Sequence, residues 1–143
     1  MGKVVAVSIS GKKGMRKANV KAAMAVADFG LEGDAHASSK WHRQVSLLAM
    51  ESIEKMRAAG LDVGPGDFAE NITTEGIDLV SLPIGTRVRV GEAEGAVSQI
   101  GKKCHARCAI YELAGDCVMP KEGIFIKVTK GGPIKPGDPV EVI

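Results

Sequence analysis

Aromatic residues are scarce in this chain of 143 residues, with three phenylalanines, one tyrosine and one tryptophan. Single-stranded nucleic acid is gripped by stacking bases on aromatic faces, so that scarcity counts against a nucleic-acid partner. An excess of charge of one sign is missing too. With 19 basic and 17 acidic residues, the net charge of +2 is too small to argue for a polyanion. No apolar run approaches the roughly 20 residues that a membrane-crossing helix needs. The apolar start, Met1 to Ser10, lacks the long hydrophobic region and cleavage pattern of a leader, and the expectation is a cytoplasmic protein with no membrane partner. Nucleotide-binding patterns are lacking as well. Gly11-Lys-Lys-Gly14 has neither the spacing nor the Lys-Ser/Thr ending of a phosphate loop, and no Gly-x-Gly-x-x-Gly follows a strand.

Cysteine is absent except in one short stretch, where Cys104, Cys108 and Cys117 fall together. In a cytosolic chain, such clustering favours sulfur chemistry over cross-linking. Cys104 stands in Gln99-Ile-Gly-Lys-Lys-Cys-His-Ala-Arg-Cys108, directly after Lys102 and Lys103 and before His105. Cationic neighbours pointing the same way lower a thiol's pKa, and the thiolate is both the nucleophile and the soft-metal ligand. Two other readings stand beside this one. Cys108 and Cys117 fit the default for free cysteine, a small buried hydrophobe. The three thiols with His36 or His105 also make a conceivable tetrahedral zinc set, but their spacing does not match the paired knuckles of common zinc modules.

What is plentiful is glycine. Eighteen glycines and six prolines are spread along the chain and divide it into short segments, the mark of a mainly β domain with many turns. One domain spanning residues 1–143 is expected, long enough to bury a core without disulfides. Lys3 to Ser10, Arg87 to Val90, Ala96 to Ile100, Ile124 to Thr129 and Val140 to Ile143 read as strands from their β-branched content and flanking turns. Ala22 to Phe29 and Phe68 to Thr74 are weaker strand candidates, and Gln44 to Leu48 reads as a strand running into a helix. That helix spans Met50 to Ala59, with Gly60 as its stop. A shorter helical stretch is expected from Ala106 to Leu113. Gly64-Pro-Gly-Asp67 and Lys135-Pro-Gly-Asp138 are turn motifs.

Several clusters suit a site. Gly30-Leu-Glu-Gly-Asp-Ala-His36 concentrates acids and a histidine in a tight loop; it either presents Asp34 and His36 to a ligand or is a plain turn in which Asp34 bonds its own backbone. Trp41-His-Arg-Gln44 offers Arg43 either as a bidentate anion ligand or as one half of a surface ion pair with Asp34 or Glu51. Alternation along Glu70-Asn-Ile-Thr-Thr-Glu75 puts Asn71 and Thr73 on one face and Glu70, Ile72 and Thr74 on the other. No acid occurs from residue 1 to 27, where Lys3, Lys12, Lys13, Arg16, Lys17 and Lys21 accumulate. This is either a solvated basic loop or a site for a small phosphorylated ligand.

Taken in order, Gly-Leu-Glu-Gly-Asp-Ala-His (30–36), Arg-Gln-Val-Ser-Leu-Leu (43–48), Gly-Asp-Phe-Ala-Glu-Asn-Ile-Thr-Thr-Glu-Gly (66–76), Leu-Pro-Ile-Gly (82–85), Cys104, Gly-Ile-Phe (123–125) and Pro-Gly-Asp (136–138) resemble a MOSC domain. That family is named for the C-terminal domain of molybdenum-cofactor sulfurase, and the likeness is to its small stand-alone prokaryotic members. The resemblance implies a β-barrel-like domain with a few short helices and a role in molybdenum-cofactor metabolism. It maps the family's critical cysteine onto Cys104, as a carrier of sulfur or as a molybdenum ligand. A domain that binds molybdenum cofactor (molybdopterin) or carries sulfur for it is implied first. A molybdenum-dependent reductase of N-hydroxylated bases or amines, supplied with electrons by a flavoprotein, and a non-catalytic module handing the cofactor to a molybdoenzyme are the alternatives. Pyridoxal phosphate, associated with the family, belongs to a partner cysteine desulfurase; this chain is too short to contain one. Asp34, His36, Arg43, Asn71, Lys102 and Lys103 are the residue types that would hold a pterin with a terminal phosphate.

Overall fold

In a computed structural model the short β segments close into a barrel. The structure describes residues 2–12, 16–101 and 122–143. Its strands are β1 (Gly2–Ile9), β2 (Ala18–Val20), β3 (Ala23–Val26), β4 (Gly30–Leu31), β5 (Val45–Ala49), β6 (Ile72–Glu75), β7 (Arg87–Val90), β8 (Ala93–Ile100), β9 (Ile124–Lys130), β10 (Gly132–Ile134) and β11 (Pro139–Val142). Helix α1 (Met50–Ala58) and a 3-10 turn at Leu79–Ser81 are the helical elements lying wholly among the described residues. Seven strands form the barrel, in the order β11, β7, β8, β9, β5, β6, β1, and the pairs Gly2↔Val140 and Lys3↔Pro139 close it. Closure leaves no open sheet edge on that wall. β2 pairs outside β1, and β10, β3 and β4 form a separate three-stranded sheet. The mainly β, barrel-like fold expected from the sequence is therefore the fold observed.

Period-two patterning sets the inside of the wall. Along β7, Val88 and Val90 are buried between exposed Arg87 and Arg89; along β8, Ala93, Gly95 and Val97 alternate inward. β1 breaks this rhythm. A register shift between Val4 and Ala6 allows Val4 and Val7, three residues apart, both to join the core. β5 is buried on both faces: Val45 and Leu47 lie in the main core, while Leu48 lies in a second cluster with Ile53, Val63, Phe68, Ala69 and Phe125. That second cluster is what α1 covers, with Ile53 fully buried and Met50 and Met56 packed beside it. Burial of this apolar stripe holds the helix, as the first-turn Glu51 and last-turn Lys55 and Arg57 are only modest complements to its dipole. Gly60, with φ 98°, ends it as expected. β5 and β6 run parallel, so the chain must cross over between them, and α1 lies in that crossover.

Three segments differ from the sequence reading by three residues or more, and the other described ones by at most a single residue at an end. The strand expected from Ala96 begins at Ala93, because Gly95 continues the alternation and its missing side chain leaves room for the Lys127 carbonyl. The segment Phe68 to Thr74 is extended only from Ile72, since Ala69 adopts φ 64° and interrupts any strand there. Ala22 to Phe29 splits, with β3 stopping at Val26 and a turn through Asp28 at φ 54° leading to β4. The helical stretch expected at Ala106 to Leu113 lies outside the described residues.

Candidate functional site

The Gly30–His36 loop meets the basic N-terminal segment. Lys17 and Asp34 form an ion pair at 2.7 Å, and both side chains are fully shielded from solvent. Asp34 also accepts hydrogen bonds from the backbone amides of Ser10 (3.0 Å) and His36 (3.1 Å). Burial alone pushes the Asp34 carboxyl up. The Lys17 hydrogen bond and charge, together with the backbone amides of Ser10 and His36, outweigh that burial and hold the carboxyl well below the usual carboxylate range. The Lys17 ammonium then reaches a second partner, His36 Nδ1, at 3.0 Å. Asp34 thus makes the local turn bond expected of a plain turn and, in addition, anchors a cation that no pattern in the sequence singled out.

From His36 the site continues through stacked rings. The His36 and Trp41 rings lie nearly parallel, 6° apart in plane, with centroids 6.0 Å apart, and Trp41 Nε1 donates to the His36 carbonyl at 2.8 Å. The Arg43 guanidinium carbon lies 5.1 Å from the Trp41 ring centroid and 5.8 Å from that of Phe125. Arg43 makes no ion pair among the described residues, which sets aside the surface pair with Asp34 or Glu51, and its buried Nε has no hydrogen-bond partner there. An unpaired buried guanidinium nitrogen is costly, and an acceptor on a bound ligand is one way to complete it.

The loop carrying Arg43 is fastened to the end of β8. Ser98 Oγ donates to the His42 carbonyl at 2.6 Å, His42 Nε2 lies 2.9 Å from Gln99 Oε1, and Gln99 Nε2 donates to the Gly101 carbonyl at 2.8 Å. Gly101 in turn donates to the Gly123 carbonyl at 2.6 Å. Gly101 is the last described residue before Cys104. Cys104, Cys108, Cys117, His105, Lys102 and Lys103 all lie outside the described residues, as does Lys13. Gln44 braces the other side: Oε1 accepts from the Val128 amide at 3.0 Å, while Nε2 lies near Asp28, Ser38 and Trp41 oxygens.

Asn71 takes a different position from the one its residue type suggested. Its Oδ1 accepts from the Ser46 amide at 3.0 Å, its Nδ2 donates to the Ser8 carbonyl at 3.1 Å, and its own amide donates to Ser46 Oγ at 3.0 Å. These bonds fasten β5 and β1 to the start of β6. The expected placement of Glu70 on the face opposite Thr73 does not hold. Glu70 precedes the strand, and its carboxylate turns back to accept from the Thr73 hydroxyl (2.8 Å) and the amides of Gly66 (3.0 Å) and Phe68 (3.2 Å). Burial pushes the Glu70 carboxyl up despite these bonds. The basic segment is likewise no uniform solvated loop: Lys17 is buried, whereas Lys3 pairs with Glu75 at the surface.

A cavity of about 400 Å³ opens elsewhere, at the start of α1, between Ala49, Ser52 and Lys55 on one side and Ile77, Leu79 and Glu122 on the other. None of the sequence-chosen site residues lines it. Among the described residues, no three of His, Cys, Asp and Glu converge as a metal-binding group, and no helix is long and apolar enough to cross a membrane.

Residues 32–141 match the MOSC domain, which is most of the chain. The chain belongs to the MOSC-domain family. Its fold is shared by proteins of known structure. YuaD from Bacillus subtilis superposes with a TM-score of 0.74 at 19% identity, covering 98% of this chain and 94% of that one. YiiM from Geobacillus stearothermophilus gives 0.75 at 20% identity, covering 100% of this chain and 75% of that one. YiiM from Escherichia coli gives 0.69 at 24% identity, covering 100% and 70%. No curated protein matches the chain by sequence. The MOSC family is associated with molybdenum-cofactor biology.

Proposed function

We propose that this MOSC domain binds molybdenum cofactor, or carries sulfur for it, through Cys104. The observation that supports the reading is Arg43, a guanidinium held between Trp41 and Phe125 with a buried nitrogen lacking an acceptor among the described residues. A phosphate-bearing pterin fits that requirement: its phosphate supplies acceptor oxygens and its planar ring system suits an aromatic and guanidinium surface. Arg43 would hold the anionic end, and Lys102 and Lys103, adjacent to Cys104 in sequence, would add positive charge. Asp34 acts at one remove, by anchoring Lys17 and His36. Asn71 acts through the backbone, by fixing the strands from which the site loops spring.

Bound molybdenum cofactor supplies a thiophilic metal centre. A thiolate at Cys104 is suited to ligate such a metal, or to hold a sulfur atom as a persulfide received from a partner desulfurase. The domain, read as the whole of residues 1–143 and as a cytoplasmic protein, would work with a sulfur donor, a molybdoenzyme or an electron-supplying flavoprotein.

The deciding experiment is molybdenum and pterin analysis of wild type and Cys104→Ser, purified in parallel from a host that makes the cofactor. Molybdenum and pterin in wild type, with molybdenum lost in the variant, support ligation by Cys104. Cofactor absent from both, together with persulfide labelling confined to wild type, supports sulfur carriage. Equal cofactor content in the two proteins and no persulfide on Cys104 would overturn the assignment.

A further inference from the structure

We infer that Lys17 is a positioning residue that fixes His36 as the neutral, Nε2-protonated imidazole, so that His36 meets a ligand only as a hydrogen-bond donor. The inference rests on the proposed function solely for the identity of that ligand; the state of the imidazole follows from geometry. A lysine ammonium has three donors and no lone pair. Lys17 Nζ donates to Asp34 Oδ1 at 2.7 Å in an ion pair shielded from solvent. It also lies 3.0 Å from His36 Nδ1. Two donors cannot share that short contact, so Nδ1 must offer its lone pair and the proton must sit on Nε2.

The competing arrangement, Nδ1–H donating to Asp34, is disfavoured on two counts. Asp34 Oδ2 is 3.7 Å from His36 Nδ1, beyond hydrogen-bond reach, and that oxygen already accepts the His36 backbone amide at 3.1 Å. The Trp41 ring, stacked on the imidazole and tied to the His36 carbonyl, prevents the side chain from swinging toward the carboxylate. Nε2 makes no hydrogen bond within the described residues, and the side chain keeps 16% of its surface exposed. The donor is therefore left for a ligand, on an imidazole stacked against the same Trp41 ring that the Arg43 guanidinium approaches. A group rich in acceptor oxygens, such as a phosphate monoester, matches a fixed N–H; a ligand needing an acceptor from His36 does not.

The test is nitrogen-15 NMR of the His36 imidazole over a pH series, with the tautomer read on the alkaline plateau where the ring signals no longer move with pH. Wild type is expected to show a single tautomer with the proton on Nε2. Lys17→Arg, which also has donors only, should keep that pattern. Lys17→Met combined with Asp34→Asn removes both buried charges, so the fold is spared an unpaired ion, and should release His36 to a mixture of tautomers. A proton on Nδ1 in wild type, or an unchanged Nε2 tautomer in the double variant, overturns the inference. Because no ligand enters this experiment, its outcome is independent of whether molybdenum cofactor binds.

Discussion

The backbone amide of Lys17 donates to the carbonyl of Gly66 at 2.8 Å, joining the basic N-terminal segment to the loop before β6. Gly66 can lie this close only because it lacks a side chain. Its φ is 90°, and a Cβ there would collide with the Lys17 carbonyl and come within 3.0 Å of Ser8 Oγ. The same Pro-Gly-Asp turn recurs at residues 136–138, where Gly137 has φ 93° but no atom within 4 Å of an added Cβ. Both turns use the aspartate identically, with the Gly64 amide bonded to Asp67 at 2.8 Å and the Lys135 amide bonded to Asp138 at 2.9 Å. One motif therefore serves two ends, a plain turn and a support for the site.

This contrast gives a first prediction. Gly137→Ala carries only the cost of an unfavourable backbone region, about 1–2 kcal/mol. Gly66→Ala adds a steric clash against backbone, worth a further ~1–3 kcal/mol. Denaturant unfolding of the two variants should rank Gly66→Ala as clearly the less stable. Equal losses would show that the Lys17 contact gives way freely.

Glu70 holds that same loop from within. Glu70→Ala leaves the Gly66 and Phe68 amides without acceptors, and at about 1–3 kcal/mol for each unsatisfied buried group the loss should reach several kcal/mol. Glu70→Gln separates charge from shape. Because the folded-state pKa of Glu70 is raised by burial, its contribution is fully present below the unfolded carboxyl value, about 4.3, and is lost as pH rises through the folded value. Glutamine does not titrate, so the stability gap between wild type and Glu70→Gln should narrow from pH 4 to pH 8. A gap that widened over that range would contradict the raised value.

Asp34 behaves with the opposite sign. Its folded pKa lies below the unfolded value of about 3.9, so its stabilisation is complete above that pH and is lost only as pH falls toward the folded value. Asp34→Asn should remove that part of the acid-denaturation slope. At pH 7 it also strands the Lys17 ammonium, a loss of about 3–5 kcal/mol, whereas Asp34→Asn with Lys17→Met should recover much of it. A double-mutant cycle read by chemical denaturation measures the coupling. Additive losses would mean that the two charges do not depend on one another.

Local physics explains how far the sequence can be read. Strands such as β7, where valines alternate with arginines, announce themselves because a period of two has one structural meaning. The helix from Met50 is equally legible, from its apolar spacing and Gly60. Lys17 is not. It is one of several lysines in an acid-free stretch, and what distinguishes it is the arrival of Asp34 from another loop. The same holds for Phe125, whose ring faces Arg43 only because β9 pairs with β5. Simple alternation misplaces Glu70 because the strand begins only at Ile72, and the Glu70 carboxylate turns back to the Gly66 and Phe68 amides and the Thr73 hydroxyl. Chemistry written in residue type is visible in advance; chemistry made by long-range contact is not.

Arg43 provides the sharpest test of the site. Its guanidinium lies between two aromatic rings without an ion pair, so replacing it alters no partner charge among the described residues. Arg43→Ala should therefore cost stability mainly through lost ring contact, at roughly 0.5–2 kcal/mol for the cation and ring interaction. Its effect on ligand retention should be larger, because a charge-assisted hydrogen bond contributes about 1.5–3 kcal/mol, a loss of roughly 10-fold to 150-fold in affinity. Arg43→Lys keeps the charge but loses the planar fork, and should fall nearer to alanine than to wild type in pterin content after purification. If the Arg43→Lys variant retained the pterin as wild type does, charge alone would account for binding and the stacked geometry of Arg43 would be dispensable.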